Sequence, residues 1–126
     1  MSAKPRTTRQ RRAAFHRGGH AELLCLWHLR CKGYRILARR YRTPVGEVDL
    51  IARRGSVLAA IEVKARDNLA MASEAIGQRQ RQRVTRALTH FLSGRPDLAQ
   101  LAARFDVMLV APWRWPRHLV DAWREE

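Results

Sequence analysis

Two short, nearly continuous apolar runs, residues 48–52 and 57–63, are each broken by a single acid, Asp49 in the first and Glu62 in the second. Arg53-Arg54-Gly55-Ser56 joins them, so together they read as a β-hairpin. Strands this apolar are covered on both faces, which calls for a layered fold with helices above and below a sheet. A carboxylate inside such a strand is costly unless it is paired or holds a metal. The same pattern thus points to the fold class and to the place where chemistry is to be sought.

The rest of the chain supplies the layers. Residues 20–32 have helical spacing, with apolar positions at Leu23, Leu24, Leu26, Trp27 and Cys31, and Gly33 ends the helix. Residues 34–37 read as a strand, and Thr43-Pro44-Val45-Gly46 as a turn. Ser73 is the expected N-cap of a second helix over 74–92, whose apolar stripe is Val84, Ala87, Leu88 and Phe91. Residues 105–111 and 119–123 complete a strand set. The order is helix, three strands, helix, two strands, which implies an α/β fold with a mixed sheet flanked by helices. Residues 1–19 are Arg-rich and contain no acid; they are read as a basic arm ahead of one domain over 20–126. The same composition suits an organellar transit peptide, whereas Arg11-Arg12 lacks the apolar stretch of a twin-arginine signal.

Register sharpens the view of the acids. With the hairpin centred on Arg54-Gly55, Asp49 pairs with Ala60 and Glu47 with Glu62. Asp49 and Glu62 are then diagonal neighbours on one face, about 7–8 Å apart at the backbone. Strand alternation puts Lys64 on that face too. Two carboxylates so placed suit a hard divalent cation, Mg²⁺ or Mn²⁺, with Lys64 to hold a phosphate or orient a water. The competing reading is a salt bridge between Lys64 and either acid, with no metal. Glu22 shares its helix side with Cys25, Leu26 and Leu29, an odd place for an acid; a first-turn glutamate favouring the helix N-terminus is the alternative. Gln80 lies one turn before Val84 and could bond a phosphate, a water or a metal ligand, or simply end the apolar stripe.

These strings carry a resemblance. Gly46-Glu47-Val48-Asp49-Leu50-Ile51-Ala52 with Ile61-Glu62-Val63-Lys64 resembles the bacterial YraN family. So do Ala21-Glu22 ahead of Gly33-Tyr34-Arg35-Ile36-Leu37, then Arg79-Gln80, and then Arg104-Phe105-Asp106-Val107. That family is similar to the PD-(D/E)xK nucleases, which have a restriction-endonuclease-like fold, and to archaeal Holliday-junction resolvases. The resemblance implies that Asp49 and Glu62 bind metal and that Lys64 is the motif lysine. It makes Glu22 the acid of the first helix and Gln80 the glutamine of the second. It implies an endonuclease acting on DNA, branched or structured, more than on RNA. The chain lacks a Pro before Asp49, and the stretch before Gln80 is unusually rich in Arg and Gln.

Charge fits a polyanionic partner. There are 25 Lys+Arg against 11 Asp+Glu, a formal charge of +14, and the lysines are only Lys4, Lys32 and Lys64. Guanidinium groups take phosphate through a planar fork, which favours nucleic acid over a lipid surface. Arg79, Arg83 and Arg86 share a helix face, and Arg39 and Arg40 lie in a second basic cluster. Trp113 and Trp115 flank Arg114; they suit stacking on unpaired bases, or they cover a core edge or a subunit contact, as in a homodimer. Cys25, His28 and Cys31 lack the second ligand pair of a zinc site, and two cysteines six apart on a helix do not meet in a disulfide. No apolar run approaches the roughly 20 residues of a membrane span. A reduced, cytoplasmic setting is expected. The alternative to a nuclease is a non-catalytic binder of DNA or RNA that keeps the fold.

Overall fold

The structure, a computed structural model, describes residues 20–66 and 77–124. The basic arm, the Ser73 cap and the start predicted for the second helix lie outside those residues. Helix α1 (His20–Cys31) leads into strands β1 (Arg35–Thr43), β2 (Gly46–Arg54) and β3 (Val57–Ala65). Helix α2 (Gln78–Ser93) and a 3₁₀ turn (Pro96–Leu98) follow, then β4 (Ala102–Val110) and β5 (Arg117–Trp123). The five strands form an open sheet in the order β1-β2-β3-β4-β5. All neighbours are antiparallel except β3 and β4, which are parallel, as strands joined through a helix can be. The fold is α/β, a mixed sheet with one helix on each face.

Each face has its own core. Val84, Ala87, Leu88 and Phe91 of α2 pack on Val48, Ile51, Leu58, Ala60, Phe105, Val107 and Leu109. Ala21, Cys25 and Leu29 of α1 pack on Leu50, Ala52, Ala59, Ile61, Val63, Met108 and Val110. The hairpin strands are therefore sandwiched, as their continuous apolar runs require. The stripe expected on α1 is divided. Glu22, Cys25, Leu26 and Leu29 face inward, whereas Leu23, Trp27 and Cys31 are exposed. The helix closes on Gly33 at φ 87, with Gly33 and Tyr34 donating their N–H groups to Arg30 and Leu29. No helix among the described residues is long and apolar enough to cross a membrane.

The hairpin register differs from the expected one. Arg54 pairs with Val57 and Leu50 with Ile61, so the turn is Gly55-Ser56 rather than Arg54-Gly55. Gly55 takes φ 59, a left-handed conformation that glycine adopts without a steric penalty at the first position of a tight hairpin turn. One step beyond the Leu50–Ile61 pair, Asp49 stands directly opposite Glu62 instead of diagonal to it. At the other end of β2, Gly46 lies against α2: a Cβ there would overlap the backbone carbonyl of Arg83. The glycine of the Gly-Glu-Val-Asp string thus lets strand and helix approach too closely for any side chain.

A candidate metal and phosphate cleft

The β2–β3 ladder ends at Leu50 and Ile61, just short of the two acids. Where it opens, the Val63 N–H donates to Asp49 Oδ2 at 2.7 Å, so a side chain completes what a strand carbonyl would otherwise satisfy. On β3, Leu58 and Ala60 face α2 while Ala59, Ile61 and Val63 face α1, which puts Glu62 and Lys64 on the α2 side. Asp49 and Glu62 are hydrogen-bonded to one another, and the Gln80 side chain bonds Glu62 from α2. Glu22 arrives from α1. A cleft of about 250 Å³ is lined by these residues with Arg40, Arg42, Glu47 and Val48.

Its electrostatics are unusual. Glu62 is buried and its carboxyl is held well above the usual carboxylate range, first by burial, then by the Asp49 hydrogen bond and charge and by the charge of Glu47. The Gln80 hydrogen bond works weakly against this. Cys25 lies beneath: burial pushes its thiol up to about 12, with the charges of Asp49 and Glu22 adding to the effect. Two adjoining carboxyl groups resist carrying two negative charges unless a cation joins them.

Basic residues form the rim. Arg40 donates from Nε to Glu22 at 2.7 Å. It reaches there from a left-handed backbone, φ 49, between the pairs Arg39–Leu50 and Tyr41–Val48 and hence opposite Asp49. That conformation costs roughly 1–2 kcal/mol in a non-glycine residue, and strain of this kind collects at functional sites. Glu47 lies between Arg42 at 3.8 Å and Arg83 at 3.6 Å. Beyond it, Arg79, Gln82, Arg83 and Arg86 share a second cleft with the Pro44-Val45-Gly46 turn.

The structure therefore brings together Glu22, Asp49, Glu62 and Gln80, and gathers Arg79, Arg83 and Arg86 next to them. Gln80 is exposed at the cleft wall rather than core-facing. Lys64 is two residues past Glu62 on the same face, half-buried and opposite Leu109, but is not part of the cleft wall. Arg39 is exposed and stands outside it. Among the described residues, no three His, Cys, Asp or Glu side chains are grouped at metal-ligand spacing, and Glu22 is paired with Arg40. Sequence reasoning gives no site role to Arg42, Glu47 or Cys25, and the β1–β2 register brings the first two to the cleft.

A second acid is buried on the α1 side. Asp106 accepts Nε and an Nη of Arg104 at 2.9 and 2.8 Å, His118 Nε2 at 2.7 Å and the Asp121 N–H at 2.9 Å. Arg104 also donates to the Tyr34 hydroxyl. Burial alone would raise this carboxyl, but the bonds from His118, Arg104 and Asp121 outweigh it and hold it at about 2. Asp106 interrupts an apolar strand just as Asp49 does, so the same sequence signal marks it.

The family model described as "Uncharacterised protein family UPF0102" matches residues 21–110, which include every residue of the acid cleft. A UPF0102 protein of Parvibaculum lavamentivorans is 54% identical over 112 residues, covering 89% of this chain and 84% of its own. One from Chelativorans sp. is 48% identical, covering 94% of each chain. Another, from Nitrobacter winogradskyi, is 50% identical and covers 87% of this chain and 93% of its own. The chain belongs to the UPF0102, or YraN, family.

Proposed function

We propose that the chain is a metal-dependent endonuclease that hydrolyses phosphodiester bonds, with DNA as its substrate. The observation that carries this reading is the Asp49–Glu62 pair, a half-buried and a buried carboxyl group hydrogen-bonded to each other in a cleft whose rim is Arg40, Arg42 and Arg83. Pure phosphate binding has no use for buried acids, which repel the ligand. The donor set fits a hard cation: two adjacent carboxyl groups, an amide oxygen from Gln80, and Glu22 once Arg40 turns to a phosphate instead. A Mg²⁺ or Mn²⁺ ion held there would neutralise the scissile phosphate and lower the pKa of an attacking water. Arg40 and Arg42 orient the phosphate through guanidinium forks. The row Arg79, Arg83 and Arg86 holds the neighbouring backbone. Lys64 supplies positive charge beside the acids.

The direct test is cleavage of duplex, single-stranded, flap and four-way-junction DNA, and of RNA, with Mg²⁺ or Mn²⁺. Asp49→Asn is expected to abolish metal-dependent cleavage while binding without metal persists or tightens. Cleavage by the Asp49→Asn variant equal to that of wild type would end the reading.

The non-catalytic alternative has one observation in its favour, the Glu22–Arg40 ion pair, which keeps a third carboxylate away from the other two. In that reading the wild-type protein binds DNA with strong salt dependence and cleaves none of the panel.

A further inference from the structure

Three of the four tryptophans are displayed rather than buried. Trp113 is fully exposed, Trp115 is 63% exposed and Trp27 is 57% exposed; only Trp123 is in the core. One contact ties the loop that carries two of them to the helix that carries the third. Trp115 packs against His28 of α1, ring centroids 5.6 Å apart, next in sequence to Trp27. Trp113 stands two residues before Trp115 in the same loop, and Leu23 lies one turn before Trp27, also exposed. Trp113 holds φ 63, so the loop bears backbone strain while presenting a large aromatic ring to water. Both features are unfavourable in the isolated chain, and a bound partner offsets them.

The charge around the rings selects the partner. Arg30 lies over the Trp27 ring at 5.4 Å, Arg114 separates the two loop tryptophans, and Arg117 and Lys32 follow. Neither residues 27–32 nor 112–117 include an acid. Aromatic faces interleaved with guanidinium groups suit bases stacked on a strand whose phosphates need cations. Place in the fold agrees. Parallel pairing of β3 with β4 sets Val107 beside Glu62 and Val110 beside Ala65, so β4 leaves the sheet at the end that carries the acids. The tryptophan loop begins there and folds onto α1.

We propose that Trp27, Trp113 and Trp115 form a platform on which unpaired bases of a nucleic-acid strand stack, making single-stranded segments the preferred ligand. This rests on nucleic acid being the ligand and not on cleavage, so it survives if the acid cleft proves inactive. The test is metal-free titration of the full chain with oligothymidylate, and with the same strand annealed to oligoadenylate, read by tryptophan fluorescence quenching and by anisotropy of a labelled strand. Wild type is expected to show quenching and tighter binding of the single strand. Trp113→Ala with Trp115→Ala should weaken single-strand binding by about tenfold or more and duplex binding by less than about twofold. Trp113→Phe with Trp115→Phe should restore most of the loss, because a benzene ring still stacks. An equal loss on both ligands, or none, would overturn the proposal. So would sedimentation showing a wild-type dimer that the alanine variant converts to monomer, since the rings would then be a subunit contact.

Discussion

Strands β2 and β4, on either side of β3, each carry an acid beside a break in a ladder, and their surroundings treat it in opposite ways. Asp49 accepts the Val63 N–H where β2 and β3 part. Asp106 accepts the Asp121 N–H at the irregularity between β4 and β5. From there the surroundings diverge. Asp106 receives Arg104 and His118, so each of its oxygens has two donors and its charge is neutralised in place. Asp49 meets a second carboxyl group, Glu62, with the cations held at the rim. One site is complete as folded. The other sets two carboxyl groups together, the arrangement that the proposed cation would join. Asp106 is fully buried and Asp49 half-buried, and their partner sets differ as well: donors surround the one, and a second carboxyl group adjoins the other.

The largest effect that could break this contrast is at the completed site. Asp106→Asn removes the charge that compensates Arg104 and turns an amide N–H toward groups that already donate. It should destabilise the fold by about 3–5 kcal/mol in urea unfolding near neutral pH. In the wild type, the carboxyl held at about 2 contributes stability that is present above the ordinary carboxylate value and is lost as pH falls through about 2. A loss under about 1 kcal/mol would show that the network adds little.

A smaller effect of opposite sign is expected in the cleft. Glu62 keeps its proton to higher pH in the folded chain than in the unfolded one. Its contribution to stability is therefore full below the ordinary carboxylate value and falls away as pH rises toward the folded one. Glu62→Gln keeps the shape and can still donate to Asp49, so without metal it should stabilise the protein by roughly 1–2 kcal/mol near pH 8. The gain should shrink toward zero as the pH is lowered to about 4. Thermal melts across that range check it, and a variant that melts below wild type at every pH would contradict the account.

The fold is readable from local signals because each is carried by neighbours in sequence: apolar runs for β2 and β3, helical spacing for α2, Gly33 for the end of α1. The turn lies one residue beyond the expected place. Gly55-Ser56 is itself a favoured two-residue turn, with Gly first, but Arg54-Gly55 competes with it when the strands are read apart. Asp49, Glu62 and Glu22 stand out as acids in apolar surroundings. Asp106 carries the same signal, yet its partners lie on β4 and β5 and are brought to it by the strand register, so no pattern of apolar residues tells it apart from Asp49. Arg40, Arg42 and Glu47 are less legible still. Their part in the cleft depends on the β1–β2 register and on a left-handed residue that no pattern of side-chain types foretells. The outward turn of Trp27 is hidden for a like reason: helical spacing groups apolar residues but does not say which of two adjoining stripes meets the sheet.

The central claim is that the Asp49–Glu62 pair is a cation site, and titration calorimetry with Mn²⁺ tests it most directly. Wild type, Asp49→Asn and Glu62→Gln are titrated at neutral pH, with and without DNA. The account predicts saturable binding to the wild-type cleft that releases a proton, since Glu62 must ionise to ligate, and loss of that binding in both variants. Wild-type protein that takes up no Mn²⁺ in a saturable manner under either condition would contradict it.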